Sequence, residues 1–143
     1  MSEREWLDYL AGTSPLIGDD AAVISARIGE DLLVSTDVQI EEVHFRRSWA
    51  SAPQLAVRAL AAAASDIAAM GGEGRYFLST LMIPPDLFPE GRAIWEALRE
   101  AGRRWGFEPA GGDTARAERI AFDFTVIVAV PKGKAVRRDG ARA

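Results

Sequence analysis

The chain has 143 residues, a hydrophobic fraction of 48%, a charged fraction of 27% and a formal charge of −4. These values describe one folded domain with a real core. No membrane span and no secretory leader are expected, and the acidic balance argues against a nucleic-acid surface while leaving metal-bridged phosphate binding open. The absence of cysteine excludes a disulfide framework, a thiolate nucleophile and a thiolate metal site, and suits a cytoplasmic protein.

Residues 3–10 are predicted to form a short amphipathic helix, stopped by Gly12 and Pro15. In LIGDDAAVI, Gly18, Asp19 and Asp20 make a turn into a short strand over residues 21–24; the local pattern fits a plain polar turn as well as a ligand-binding one. A second turn at Gly29, Glu30 and Asp31 leads into a long strand over residues 32–45, so these two strands are expected to pair as a hairpin. Leu32, Val34, Val38 and Ile40 alternate with Leu33, Ser35, Asp37 and Gln39, which predicts one buried face and one mixed face. Asp37 interrupts the mixed face, where a carboxylate needs a metal, a cation or several hydrogen bonds.

Residues 51–70 form the clearest helix, with Ser51 as cap, Pro53 in the first turn, an alanine-rich body and Gly71–Gly72 as the stop. Asp66 lies near its C-terminal end, where the helix dipole disfavours a negative charge, so either a surface role or a ligand must account for it. A third strand is expected over residues 75–83, closed by Pro84 and Pro85. A second long helix over residues 88–105 carries Ile94, Leu98, Ala101 and Trp105 on one stripe with Trp95 flanking it, which predicts Trp105 as core or interface. The glycine-rich segment AGGDTAR is read as a connection to a last strand over residues 120–130, and the basic tail from residue 136 as a cut linker after a domain spanning residues 1–135. The order predicts an α+β fold with a mainly antiparallel mixed sheet and two long helices on one face. Both standard nucleotide motifs, GxGxxG after a strand and GxxxxGK[ST], are missing from the sequence.

Carboxylates therefore recur at element ends or inside apolar runs: Asp19 and Asp20, Asp37, Asp66 and Asp113. Such hard oxygen ligands suit Mg2+ ions that neutralise a polyphosphate, and Gly111 and Gly112 allow backbone N–H groups to face an anion beside Asp113.

Taken together, IGDDAAVI, LLVSTDVQIEEVHF, LAVRALAAAASDIAAMGG, AGGDTAR and VPKGKAVRRDGA resemble, in order and spacing, the N-terminal domain of the thiamine-monophosphate kinase family, within the aminoimidazole-ribonucleotide-synthetase-like superfamily. The resemblance covers about residues 16 to 143. It implies transfer of the γ-phosphate of ATP, with Mg2+, directly onto thiamine monophosphate, and a homodimer formed through the sheet with nucleotide near the subunit junction. It further implies metal binding by Asp20, Ser35, Thr36, Asp37, Asp66 and Asp113, substrate contact by His44, and nucleotide contact by Gly112 and Arg138; Asp19 is a weaker match. No side chain is expected to act as a covalent catalyst. Taken alone, His44 reads first as a structural histidine, and its place just past Asp37, two residues after Glu42, is what turns the reading toward a substrate role. AAASD departs from the asparagine that more usually precedes the leucine-serine-aspartate of the family, and the chain stops where a C-terminal domain would begin, so weak or absent catalysis is expected of it alone. The rival readings are another ATP-using enzyme of the superfamily, of the purine-synthetase kind, and a non-catalytic dimerisation domain or fragment.

Overall fold

The computed structural model describes residues 3–14 and 27–137. Its elements run α1 (Glu3–Ala11), β1 (Glu30–Ile40), α2 (Ala52–Ala69), β2 (Glu73–Ile83), α3 (Gly91–Trp105), β3 (Glu108–Arg116) and β4 (Ala121–Pro131), with 3-10 turns at Arg47–Trp49 and Pro85–Glu90. The four strands form one sheet in the order β1-β4-β2-β3. β4 pairs antiparallel with both β1 and β2, and β2 pairs parallel with β3. The expected α+β class, with a mainly antiparallel mixed sheet, is what forms, and α2 and α3 cover one face of it.

Local sequence explains the helices. In α2, Gln54 Oε1 accepts the Ser51 N–H at 3.0 Å, Pro53 occupies the first turn, and Gly71 follows the C-cap at φ 78°. Leu55, Ala56, Ala59, Leu60, Ala63 and Ile67 recur every three or four residues as its buried stripe. The alanines let the helix lie close to the sheet, while Leu60, Phe77, Phe122 and Phe124 fill the space between, each contributing about 1.5–3 kcal/mol by burial. α3 ends at Gly106, whose φ of 80° allows the Phe107 N–H to reach back to Gly102 O at 2.8 Å. α1 is fastened to β3 and α3 by polar tips: Trp6 Nε1 donates to Thr114 Oγ1 at 3.3 Å and the Tyr9 hydroxyl to Glu96. Burial first, and then this bond, push the Tyr9 phenol up to about 12.

Several expectations are corrected. The expected strand over residues 32–45 ends at Ile40; a compact loop follows, in which Glu42 takes a φ of 66° and donates its N–H to Phe45 O at 2.7 Å. The faces of β1 are the reverse of those predicted: Leu32, Val34 and Val38 are exposed, whereas Ser35, Asp37 and the buried Gln39 lie on the helix side. β1 is an edge strand, so its alternation shows only that two faces differ, and the pairing with β4 decides which one meets α2. AGGDTAR is not a connection but most of β3, paired along β2 with a bulge between Phe77 and Leu78. The helix expected over residues 88–105 begins only at Gly91, after a 3-10 turn containing Pro89. Within it Trp95 is buried, its Nε1 donating to Thr13 Oγ1 at 2.9 Å, while Trp105 in the last turn is 37% exposed. The strand expected over residues 21–24, with Asp19 and Asp20, and Arg138 in the tail, lie outside the described residues.

Candidate functional site

β1 and β2 both run antiparallel to β4, so they run parallel to each other, and α2 returns along β1 in the opposite direction. Arg58 fixes the relative level: its Nη1 donates to Gln39 Oε1 at 3.0 Å. Asp66 lies eight residues further along α2, about 12 Å at 1.5 Å per residue, which corresponds to three or four residues back along β1, the level of Ser35. Packing independently brings the same stretch together, because a methyl group on Gly72 would meet both Ile67 and Val128, and Val128 is the partner of Leu33, two residues from Ser35.

The helix side of the β1 edge therefore carries Ser35, Asp37 and Asp66. Asp37 is half-buried, and its Oδ1 accepts from Gln39 Nε2 at 3.2 Å while Oδ2 has no partner among the described residues. Asp66 is exposed and likewise unpartnered among them, so its position does not itself require a ligand. The tail runs to the same end: Val136 N donates to Met70 O at 3.0 Å, four residues beyond Asp66. Thr36 faces away, donating through Oγ1 to Asp123 Oδ1 at 2.9 Å on the open side of the sheet.

Gly112 and Asp113 lie elsewhere, on the opposite edge strand β3. Asp113 is paired in register with Thr80, which is paired in turn with Asp123. Asp113 is exposed, and its Oδ1 accepts the Thr114 N–H at 2.7 Å. Gly112, at φ 156°, lies so close to β2 that a Cβ would fall 2.0 Å from Ser79 O. Three strand spacings separate β1 from β3, about 14 Å, against a Mg2+–oxygen distance of about 2 Å. One protomer thus does not bring Asp37 and Asp113 to one ion, and no group of three or more His, Cys, Asp or Glu side chains able to hold a metal occurs among the described residues.

His44 is at the far end of β1 from Asp66, on the loop that follows Ile40, where its Nδ1 accepts the Ile40 N–H at 3.0 Å. Beneath the loop Glu41, 8% exposed, receives Arg47 Nε and Nη2, both at 3.1 Å, and the Ile120 N–H at 3.0 Å, while Arg47 Nη1 reaches Asp86 at 2.9 Å. The Arg47 hydrogen bonds hold the Glu41 carboxyl below the usual carboxylate range against the opposing effect of burial, with the Ile120 amide assisting, and Glu41 in turn raises Arg47. Sequence reasoning missed Glu41, Arg47 and Asp123. The available signals were an acid at the end of a strand with an arginine six residues on, and an acid inside the apolar run of β4.

The family model described as AIR synthase related protein, N-terminal domain, matches residues 18–130. The chain is 36% identical over 128 residues to thiamine-monophosphate kinase of Bacillus subtilis (strain 168), covering 88% of this chain and 39% of that protein. The crystal structure of thiamine-monophosphate kinase from Stenotrophomonas maltophilia K279a superposes with a TM-score of 0.80 at 31% identity, covering 88% of this chain and 39% of that one. A structure of AaThiL complexed with AMPPCP and TMP gives a TM-score of 0.73 at 30% identity, covering 98% of this chain and 45% of that one. The chain thus spans less than half the length of these relatives.

Proposed function

We propose, from the premise that this chain belongs to the AIR synthase related N-terminal domain family, that it supplies the metal- and nucleotide-binding half of a cytoplasmic, ATP-dependent thiamine-monophosphate kinase. The observation that carries the reading is the helix side of the β1 edge, where Ser35 and Asp37 lie beside the stretch of α2 that carries Asp66, with Val136 of the tail bonded to Met70 one turn further on. Their donor set fits Mg2+: all the ligands are hard oxygens, and Asp37 Oδ2 and the Asp66 carboxylate have no competing partner among the described residues. Asp20 would join them from the preceding segment. Thr36 would have to contribute its main-chain oxygen, because its hydroxyl is committed to Asp123. Bound Mg2+ would neutralise the polyphosphate and polarise the phosphorus under attack.

A homodimer through the open sheet face accounts for the residues left on β3. That face exposes Leu32, Val34 and Val38, with Tyr76, Leu78, Met82 and Ile127 half-exposed beside them. Laying two such faces together about a two-fold axis parallel to the strands would set the β1 edge of one copy beside the β3 edge of the other. Asp37 and Asp66 then share a junction with Asp113 of the partner subunit, where the partner subunit's Gly112 admits a nucleotide phosphate close to the main chain. His44 contacts thiamine monophosphate, and transfer is direct and in line, the chain's residues orienting the two phosphates and holding the charge that develops.

Calorimetric titration of the chain with ATP tests this. Binding is expected only with Mg2+, and Asp37→Asn is expected to weaken it at least about tenfold. ATP binding that is equally tight without metal, or unchanged in Asp37→Asn, would remove the proposal.

A further inference from the structure

We infer that the Glu41–Arg47–Asp86 cluster is a clamp that positions the loop after β1 so that His44 is presented as an Nε2–H hydrogen-bond donor. The inference rests on the proposed kinase reading only for the identity of the ligand. A backbone N–H can only donate, so the 3.0 Å bond from Ile40 N to His44 Nδ1 assigns the lone pair to Nδ1. A neutral ring then carries its proton on Nε2, which has no partner among the described residues, on an exposed side chain. Such a group pairs with an acceptor oxygen, as on a phosphate, and not with a cationic ring.

The bond to Ile40 survives only if the loop holds its shape, and the loop is tied at both ends. Phe45 is buried against Phe122 with ring centroids 6.1 Å apart, and the His44 N–H returns to Ile40 O at 2.8 Å. Between these ties Glu42, Val43 and His44 project into solvent. The fork of Arg47 grips both oxygens of Glu41, and Glu41 also anchors Ile120, so the clamp joins the end of β1 to the segment entering β4; its third arm, Asp86, reaches the turn that precedes α3. A planar, two-pronged guanidinium fixes direction as well as distance. Arg47 and Glu41 thereby act through His44 as positioning residues.

The chain contains one histidine, so its ring nitrogens can be read without ambiguity. Long-range proton–nitrogen spectra of the whole 143-residue chain, recorded well above the ordinary histidine value of about 6.5, are expected to show a pyridine-type Nδ1, a protonated Nε2 and a protected Ile40 amide. Arg47→Met is expected to speed Ile40 amide exchange about tenfold and move both ring nitrogens toward tautomer-averaged positions, with the β4 amides unchanged. Should Arg47→Met fail to fold, Glu41→Gln provides the same reading, because its amide oxygen still accepts from Ile120 while the paired grip on Arg47 is lost. A wild-type ring protonated on Nδ1, or variant rings indistinguishable from wild type, overturns the inference. Thiamine monophosphate is then added to the wild type with Mg2+. An Nε2 resonance that shifts supports the donor role, whereas a fixed Nε2–H ring that ignores this probe leaves the clamp standing and counts against the kinase reading.

Discussion

Replacing Gly112 by alanine tests the placement of β3, and with it one wall of the proposed nucleotide site. The new Cβ would lie 2.0 Å from Ser79 O, 2.8 Å from its carbonyl carbon and 2.9 Å from its nitrogen. All three are main-chain atoms, so no rotamer change relieves the overlap, and β3 must withdraw by about 1 Å to reach the shortest Cβ contacts that packed interiors tolerate. β3 is an edge strand whose one ladder among the described residues is with β2, so the withdrawal weakens the ladder that holds it. Overpacking of this kind costs about 1–3 kcal/mol, and alanine at a φ of 156° adds backbone strain, for a total of about 3 kcal/mol. In a chain of this size that lowers Tm by about 10 °C. Gly111→Ala is the control: φ is 150°, but its Cβ would meet only Leu78 Cδ2 at 3.9 Å, so strain alone applies and the loss should be about 4 °C. Thermal unfolding followed by far-ultraviolet circular dichroism measures both. If Gly112→Ala costs no more than Gly111→Ala, the close approach of β3 to Ser79 is wrong.

Three further outcomes follow from particular contacts. The Glu41 carboxyl is held below its unfolded value, so its stabilisation is complete above that value and is lost as pH falls through the folded one; Glu41→Gln should flatten the acid limb of the stability–pH curve and cost about 2 kcal/mol at neutral pH, read by urea unfolding. Tyr9 is raised to about 12, so its contribution is full below pH 10 and disappears as pH rises through 12; ultraviolet titration should show Tyr9 ionising late, moved back toward 10 by Glu96→Gln. Val34 is 62% exposed on the open sheet face, so Val34→Lys should change unfolding of the protomer by less than about 0.5 kcal/mol. It should nevertheless convert a dimer to a monomer in sedimentation equilibrium, and an unchanged dimer would place the interface elsewhere.

The parts legible in the sequence were those governed by near neighbours. The capped, alanine-rich α2 and the alternating apolar residues of β4 could be read directly, because capping, periodicity and strand alternation act over a few residues. β3 could not: two glycines and a charged end carry no strand signal, and it is a strand because β2 supplies a parallel partner far back in the chain, Thr80 opposite Asp113.

The site divides in the same way. Motif order and spacing singled out Ser35, Asp37, Asp66 and Asp113 one at a time. Only the sheet order, with α2 held along β1, put the first three beside one edge and the fourth on the other, and only the pairing of β1 with β4 turned Asp37 toward α2 and Thr36 away from it. A sequence fixes the distance between residues along the chain. Which edge a strand occupies, which face it buries and which acids can share an ion are set by hydrogen bonds and packing between segments remote in sequence.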